Sequence, residues 1–142
     1  MEYDIYLSDY ERKTVLQLPI LPEEMPPMSK ASANEEFETY NNGKYNLIGD
    51  VGLIEFNLDC WLPGKGKNYS FQRVKNINPD DYVQLIDAAM LNKKPLRVVI
   101  VRGDGTLINN TTFSVESFEW HEDKVCDYEY SISFKQWRDY NA

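Results

Sequence analysis

The stretch "TTFSVESFEW", residues 111–120, carries its apolar side chains in two phases: Phe113 and Val115 sit on odd positions, Phe118 and Trp120 on even ones. Side chains alternate along a strand with a period of two, so a change of parity either turns the hydrophobic set toward solvent or absorbs one extra residue. The second solution is a β-bulge, predicted near Glu116-Ser117, and a bulge bends its strand. The closing segment "DYEYSISFK" answers with unbroken alternation, Tyr128, Tyr130, Ile132 and Phe134 on one face and Glu129, Ser131, Ser133 and Lys135 on the other. A bent strand followed by a regular half-buried one demands a curved sheet or a barrel-like arrangement.

The same alternation recurs upstream. "YDIYLSD" and "KTVLQLPI" flank the polar turn Asp9-Tyr10-Glu11-Arg12 and predict an N-terminal hairpin. "GLIEFNLDCW" sets Ile54, Phe56, Leu58 and Cys60 against Glu55, Asn57 and Asp59, so Cys60 reads as a small core residue rather than a nucleophile. "PLRVVIV" is apolar on both faces, as a central strand is, and a Gly-Asp-Gly turn follows it. Asn42-Gly43 suits the positive φ values of a type I′ turn and joins "EEFETY" to "KYNLIG" in a second hairpin.

Helical signals converge in one place. In "NPDDYVQLIDAAMLN" Asn78 can cap, Pro79 suits the first turn, Asp80 and Asp81 favour the positive end of the dipole, and Asn92 can end the helix. Tyr82, Leu85, Ile86, Ala89 and Met90 supply its apolar stripe. Between the first two hairpins Pro19, Pro22, Pro26 and Pro27 fix φ and remove backbone donors, which excludes a central strand or a helix interior. Residues of about 19–33 therefore form an extended arm or loop. The chain is predicted to be a single domain over residues 1–142, of α+β class and mainly antiparallel β, with one main α-helix at about 79–91.

Fifteen Lys and Arg against 23 Asp and Glu give a net charge of -8, which repels a phosphate backbone and argues against nucleic-acid binding. The cations that do cluster, at Lys65, Lys67, Arg73 and Lys75 and again at Lys93, Lys94 and Arg97, are expected to be solvated loop charges or partners for an acidic neighbour, and the first group lies in a Gly-containing stretch without phosphate-loop spacing, expected to be a flexible basic loop. No apolar run is long enough to cross a bilayer, and the N-terminus lacks the pattern of a signal peptide, so no membrane partner is expected. The two cysteines are far apart and form no CxxC, which gives a disulfide framework or a zinc site no support.

A nucleophilic cysteine needs a nearby histidine, and the only one, His121, is expected in a hairpin turn before Cys126. Asp59, Asp80, Asp81, Glu116 and Glu119 offer carboxylates without marking a pair, and "HED" at 121–123 is too tight to converge on one ion. The residues thus predict neither an enzyme nor a cofactor. Ten tyrosines and an aromatic fraction of 13% lean instead toward a β-rich binding protein.

Several segments taken in order, "YLSD...LQLPILPEE", "IEFNLDCWLPG...YSF" ahead of "NPDDYVQLIDAA", "KPLRVVIV" and "TTFSVESFEW...DYEYSISFKQWRDY", resemble the N-terminal domain of a phage tail family. This family comprises baseplate or tail-hub components similar to XkdP of the PBSX-type phage-like element, in contractile tails. The resemblance covers nearly the whole chain. It implies a non-catalytic structural component of a tail or tail-like particle, made in the bacterial host cytoplasm and built into the virion near the tube end. Its partners would be tube, hub or baseplate subunits in a ring or symmetric assembly. Members commonly continue into a peptidoglycan-binding LysM domain; this chain stops at Ala142, so wall binding is not carried over. On this reading Trp137, Arg138 and Tyr140 at the closing strand, and Pro22, Met25 and Met28 in the arm, are the candidate protein interface. The alternative expectation is a carbohydrate- or cell-wall-binding module that stacks sugars on exposed aromatics such as Trp61 or Trp137.

Overall fold

The structure, a computed structural model, describes residues 3–32, 34–40 and 43–138. In chain order its elements are β1 (Tyr3–Ser8), β2 (Val15–Gln17), β3 (Glu35–Thr39), β4 (Gly43–Leu47), β5 (Glu55–Leu62), α1 (Pro79–Leu91), β6 (Leu96–Arg102), β7 (Leu107–Glu122) and β8 (Tyr128–Gln136). Six strands make one sheet in the order β2-β1-β6-β7-β8-β5, every neighbouring pair antiparallel, and β3 and β4 make a separate two-stranded sheet. The large sheet is open, with β2 and β5 as its edges. This is the α+β, mainly antiparallel architecture expected, in its curved-sheet form rather than as a closed barrel.

The parity change along β7 has the predicted cause. Val115 stands opposite Phe134 and Ser117 opposite Ser133, so Glu116 is the extra residue. Phe118 then faces Ile132 and Trp120 faces Tyr130, which keeps the apolar side chains on one side of the sheet on both sides of the bulge. The bend lets a single strand of 16 residues serve two partners, β6 through Leu107–Phe113 and β8 through Phe113–Glu122. Phe113, fully buried at the crossing point, meets the Phe56 ring edge-on at 4.9 Å between centroids, and Phe56 stacks on Phe134 at 4.9 Å. Truncating such an aromatic core residue to alanine costs about 3–5 kcal/mol.

Helix α1 begins and ends where its capping residues predict. The Asn78 side chain accepts the Asp80 N–H at 3.1 Å, Pro79 occupies the first turn, and the Asn92 N–H closes on Ala88 O at 2.9 Å. Tyr82, Val83, Ile86 and Ala89 are buried, with the Tyr82 hydroxyl donating to Gln17 O, so the helix covers the core face of the sheet. Among its described residues no helix of this chain is long and apolar enough to cross a membrane.

Among its described residues the Pro-rich stretch carries little regular structure. It leaves β2 through buried Leu18 and Ile20, passes the Cys60 thiol, which donates to Ile20 O at 3.4 Å, and meets the other edge of the sheet where Ser29 pairs with Glu55. Met25 and Met28 pack against the core along this path. A second bridge, Ser32 with Val51, continues the pairing outward toward β3 and β4. Of the Asn42-Gly43 turn, Asn42 lies outside the described residues, while Gly43 has φ of +79°, a value that favours glycine.

Two local expectations are corrected. His121 belongs to strand β7, where it faces Glu129 of β8 with Nε2 at 3.1 Å from a carboxylate oxygen, because the strand runs on to Glu122 and the turn is made by 123–127. The turn is closed by Asp123, whose carboxylate accepts the N–H groups of Val125 and Asp127 at 3.0 and 2.9 Å. The basic stretch after β5 is also no loose loop, since its backbone is tied down along most of its length.

Candidate functional site

The densest convergence of polar groups is built around Asp127, 5% exposed, in the turn before β8. Its carboxylate accepts the Gly64 N–H at 2.8 Å and the Tyr69 hydroxyl at 2.8 Å, and pairs with the Lys67 ammonium at 3.1 Å. Burial alone would raise its pKa; the hydrogen bonds from Gly64, Tyr69 and Lys67 outweigh that and hold it below the ordinary carboxylate value. The same donation raises the Tyr69 phenol above its usual pKa. Gly64 is required for the approach, because a Cβ there would lie 2.3 Å from Cys126 O.

This carboxylate fixes the segment 63–78 against the β7–β8 turn, and further contacts complete the attachment. Buried Gln72 accepts the Tyr69 N–H at 2.5 Å and donates to Val74 O at 3.1 Å. The Arg73 N–H donates to Pro19 O at 2.7 Å and its Nε to the Asp4 carboxylate at 2.8 Å, which lowers the Asp4 pKa. What the frame presents is aromatic. Phe71, 59% exposed, stacks on Tyr69 at 5.3 Å, and the Trp61 ring at the end of β5 meets both edge-on at 6.0 and 5.5 Å. Asp127 is therefore a structural ligand whose lone pairs are spent on holding an exposed aromatic platform.

Three of the other candidate carboxylates each accept a side-chain hydroxyl. Asp59 accepts the Ser131 hydroxyl at 2.5 Å, Asp80 the Tyr128 hydroxyl at 2.6 Å, and Glu116 the Ser114 hydroxyl at 2.7 Å. The hydrogen bond to Asp80 pushes the Tyr128 pKa up to about 12. Burial pushes the Cys60 thiol up, the opposite of what a nucleophilic thiolate requires. Among the described residues no three His, Cys, Asp or Glu side chains come together as a metal-binding group. A cleft of about 460 Å³ between the β1–β2 turn and α1 is lined by Asp9, Glu11, Leu16, Asp81 and Lys94, and there Lys94 and Glu11 pair at 3.0 Å.

The interface residues expected from sequence are dispersed. Met25 and Met28 are half-buried against the core, and Pro22 and Met25 line a shallow hollow with Asn57 and Asp59 beside β5. Half-buried Trp137 meets the Tyr10 ring edge-on at 5.6 Å, and its N–H donates to Thr112 O at 2.9 Å; Arg138 is exposed and Tyr140 lies outside the described residues. Exposed apolar side chains include Phe71 and, on the β3–β4 hairpin with its flanks, Tyr40, Leu47 and Ile48 at 100%, 53% and 85%, besides scattered ones such as Val15, Leu91, Leu107 and Val125. The basic-aromatic segment at 63–78 could have been suspected from the interleaving of Lys65, Lys67, Tyr69, Phe71, Arg73 and Lys75.

The molecule is thus an open antiparallel sheet with one covering helix, a rigid aromatic segment and a projecting hairpin. No protein-family model matches the chain, and no curated protein matches it. Twelve chains of solved structures match it. Among them is the SPP1 tail tube, determined by solid-state NMR and cryo-EM, to which this chain is similar at 17% identity and a TM-score of 0.49 over 95% of this chain and 73% of that one.

Proposed function

We propose that this chain is a structural component of a contractile phage tail or tail-like particle, placed at the baseplate or tail hub near the tube end and acting through protein–protein assembly without a catalytic step. One observation carries the assembly part of this reading. On the β3–β4 hairpin and its flanks Tyr40, Tyr45, Leu47 and Ile48 are exposed, and among the described residues the hairpin packs to no more than a marginal extent on the main sheet or the helix. An isolated two-stranded hairpin is marginally stable in water, so a surface of this kind is completed by another chain. The edge strand β5, met by the arm at Ser29, adds a second unfinished surface. The ordered resemblance of its segments to tail-hub proteins supplies the kind of particle.

The partners on this reading are tube, hub or baseplate subunits, and the product is a ring or other symmetric assembly. Mass spectrometry of purified phage or tail-like particles, quantifying this chain against the tube protein, tests it. A low, fixed ratio is expected. Absence from intact particles would overturn the reading and leave the carbohydrate-binding alternative, for which Trp61, Tyr69 and Phe71 form the available platform.

A further inference from the structure

Charge is distributed unevenly over the two excursions from the sheet. The segment 63–78 carries Lys65, Lys67, Arg73 and Lys75 and no acidic residue, in a chain whose net charge is -8. The hairpin and its flanks, 34–51, carry Glu35, Glu36, Glu38 and Asp50 against Lys44. Both segments also expose large apolar side chains, Phe71 on one and Leu47 and Ile48 on the other. Each patch thus combines exposed apolar side chains with charge of the sign opposite to the other's, the composition that complementary surfaces carry.

We infer that the β3–β4 hairpin of one copy docks on the 63–78 segment of a second copy. This inference rests on the assembly reading and names its contact. The receiving side is preorganised, since Asp127, Gln72 and the Arg73 backbone fix its shape before any partner arrives. Little conformational entropy is then lost there on docking. Lys67 and Arg73 are engaged by Asp127 and Asp4, and the Lys75 ammonium donates to Tyr69 O; Lys65 and Lys75, both exposed, are the cations that meet the incoming carboxylates. Because the two patches differ, the contact is heterologous: every copy offers one hairpin and one platform, and copies join head to tail until the rotation closes a ring or runs on as a chain.

Sedimentation velocity of the full chain, across concentrations up to its solubility limit and at low and high salt, tests the contact. The wild type is expected to self-associate and to do so less at high salt, because the attraction is between exposed charges. E35K/E38K and K65E/K75E, which change exposed residues and are expected to keep the wild-type circular dichroism, should each weaken association by about tenfold or more. Mixing the two variants should restore it, since each then meets a surface of opposite sign. A wild type that stays monomeric throughout, variants that associate like the wild type, or a mixture that stays monomeric would each overturn the inference. Such a result with the chain still present in particles leaves the assembly reading standing and removes only this contact.

Discussion

The segment 63–78 and the β3–β4 hairpin are both excursions from the main sheet, yet they are held in opposite ways. The first has little regular structure and is anchored by side chains, with Asp127 gathering donors from Gly64, Lys67 and Tyr69. The second is regular, paired from Glu35 with Leu47 to Thr39 with Gly43, and below that ladder its two flanks are joined to each other by backbone at Ser32 with Val51 and Gly52 with Ala31, down to Ser29 with Glu55 of β5. Regularity and rigidity are thus separate properties. A loop gains fixed geometry from buried polar partners and loses it with them, while a bare hairpin needs a surface to lie on.

The contrast is most directly broken at Asp127. Asp127→Asn leaves the Gly64, Lys67 and Tyr69 donors facing a neutral amide and is expected to cost about 2–4 kcal/mol in denaturant unfolding. Faster hydrogen exchange is expected across 63–78 and not across the hairpin. An unchanged unfolding midpoint would show that the segment is held by its backbone after all.

The pH dependence follows from the sign of the shift. The folded carboxylate titrates below its unfolded value, so its stabilisation is complete above the ordinary Asp pKa of about 3.9 and is lost as pH falls through the lower folded value. The difference in Tm between wild type and Asp127→Asn should therefore persist from neutral pH down to about pH 5 and shrink below about pH 4. A difference constant to lower pH would place the effect on shape rather than charge.

Tyr69→Phe removes one donor to Asp127 and keeps the ring against Phe71 and Trp61. A fall in Tm smaller than that of Asp127→Asn is expected, with protection in 63–78 only partly lost. On the other side of the comparison, Leu47→Ser acts on a half-exposed hairpin residue and should change the stability of the isolated chain by no more than about 0.5 kcal/mol. A larger loss would mean that the hairpin packs on its own domain.

Much of the fold was legible because it depends on neighbours in the chain. The parity change between Val115 and Phe118 required a bulge wherever the strand lay, and the cap residues Asn78, Pro79 and Asn92 delimit α1 by bonds made within a turn or two. The anchoring of 63–78 was not legible, since Asp127 before a strand reads as an ordinary turn residue while its partners Gly64 and Tyr69 stand 63 and 58 positions away. Met25 and Met28 are partly buried against the core, a contact the sequence did not show, because a Pro-rich arm carries no periodicity to say which side meets the core.

Sequence alone determined the strand and helix periods, the bulge, the acidic charge and the split between a basic aromatic segment and an acidic hairpin. Each of these is set by residue type and spacing over a few positions. Tertiary structure alone decided that the sheet stays open, that Asp127 becomes the anchor of a distant loop, and that the described residues of the hairpin pack little on the main sheet or the helix. Those outcomes depend on which groups meet across long separations, where chain connectivity sets no preference and packing and desolvation choose the partner.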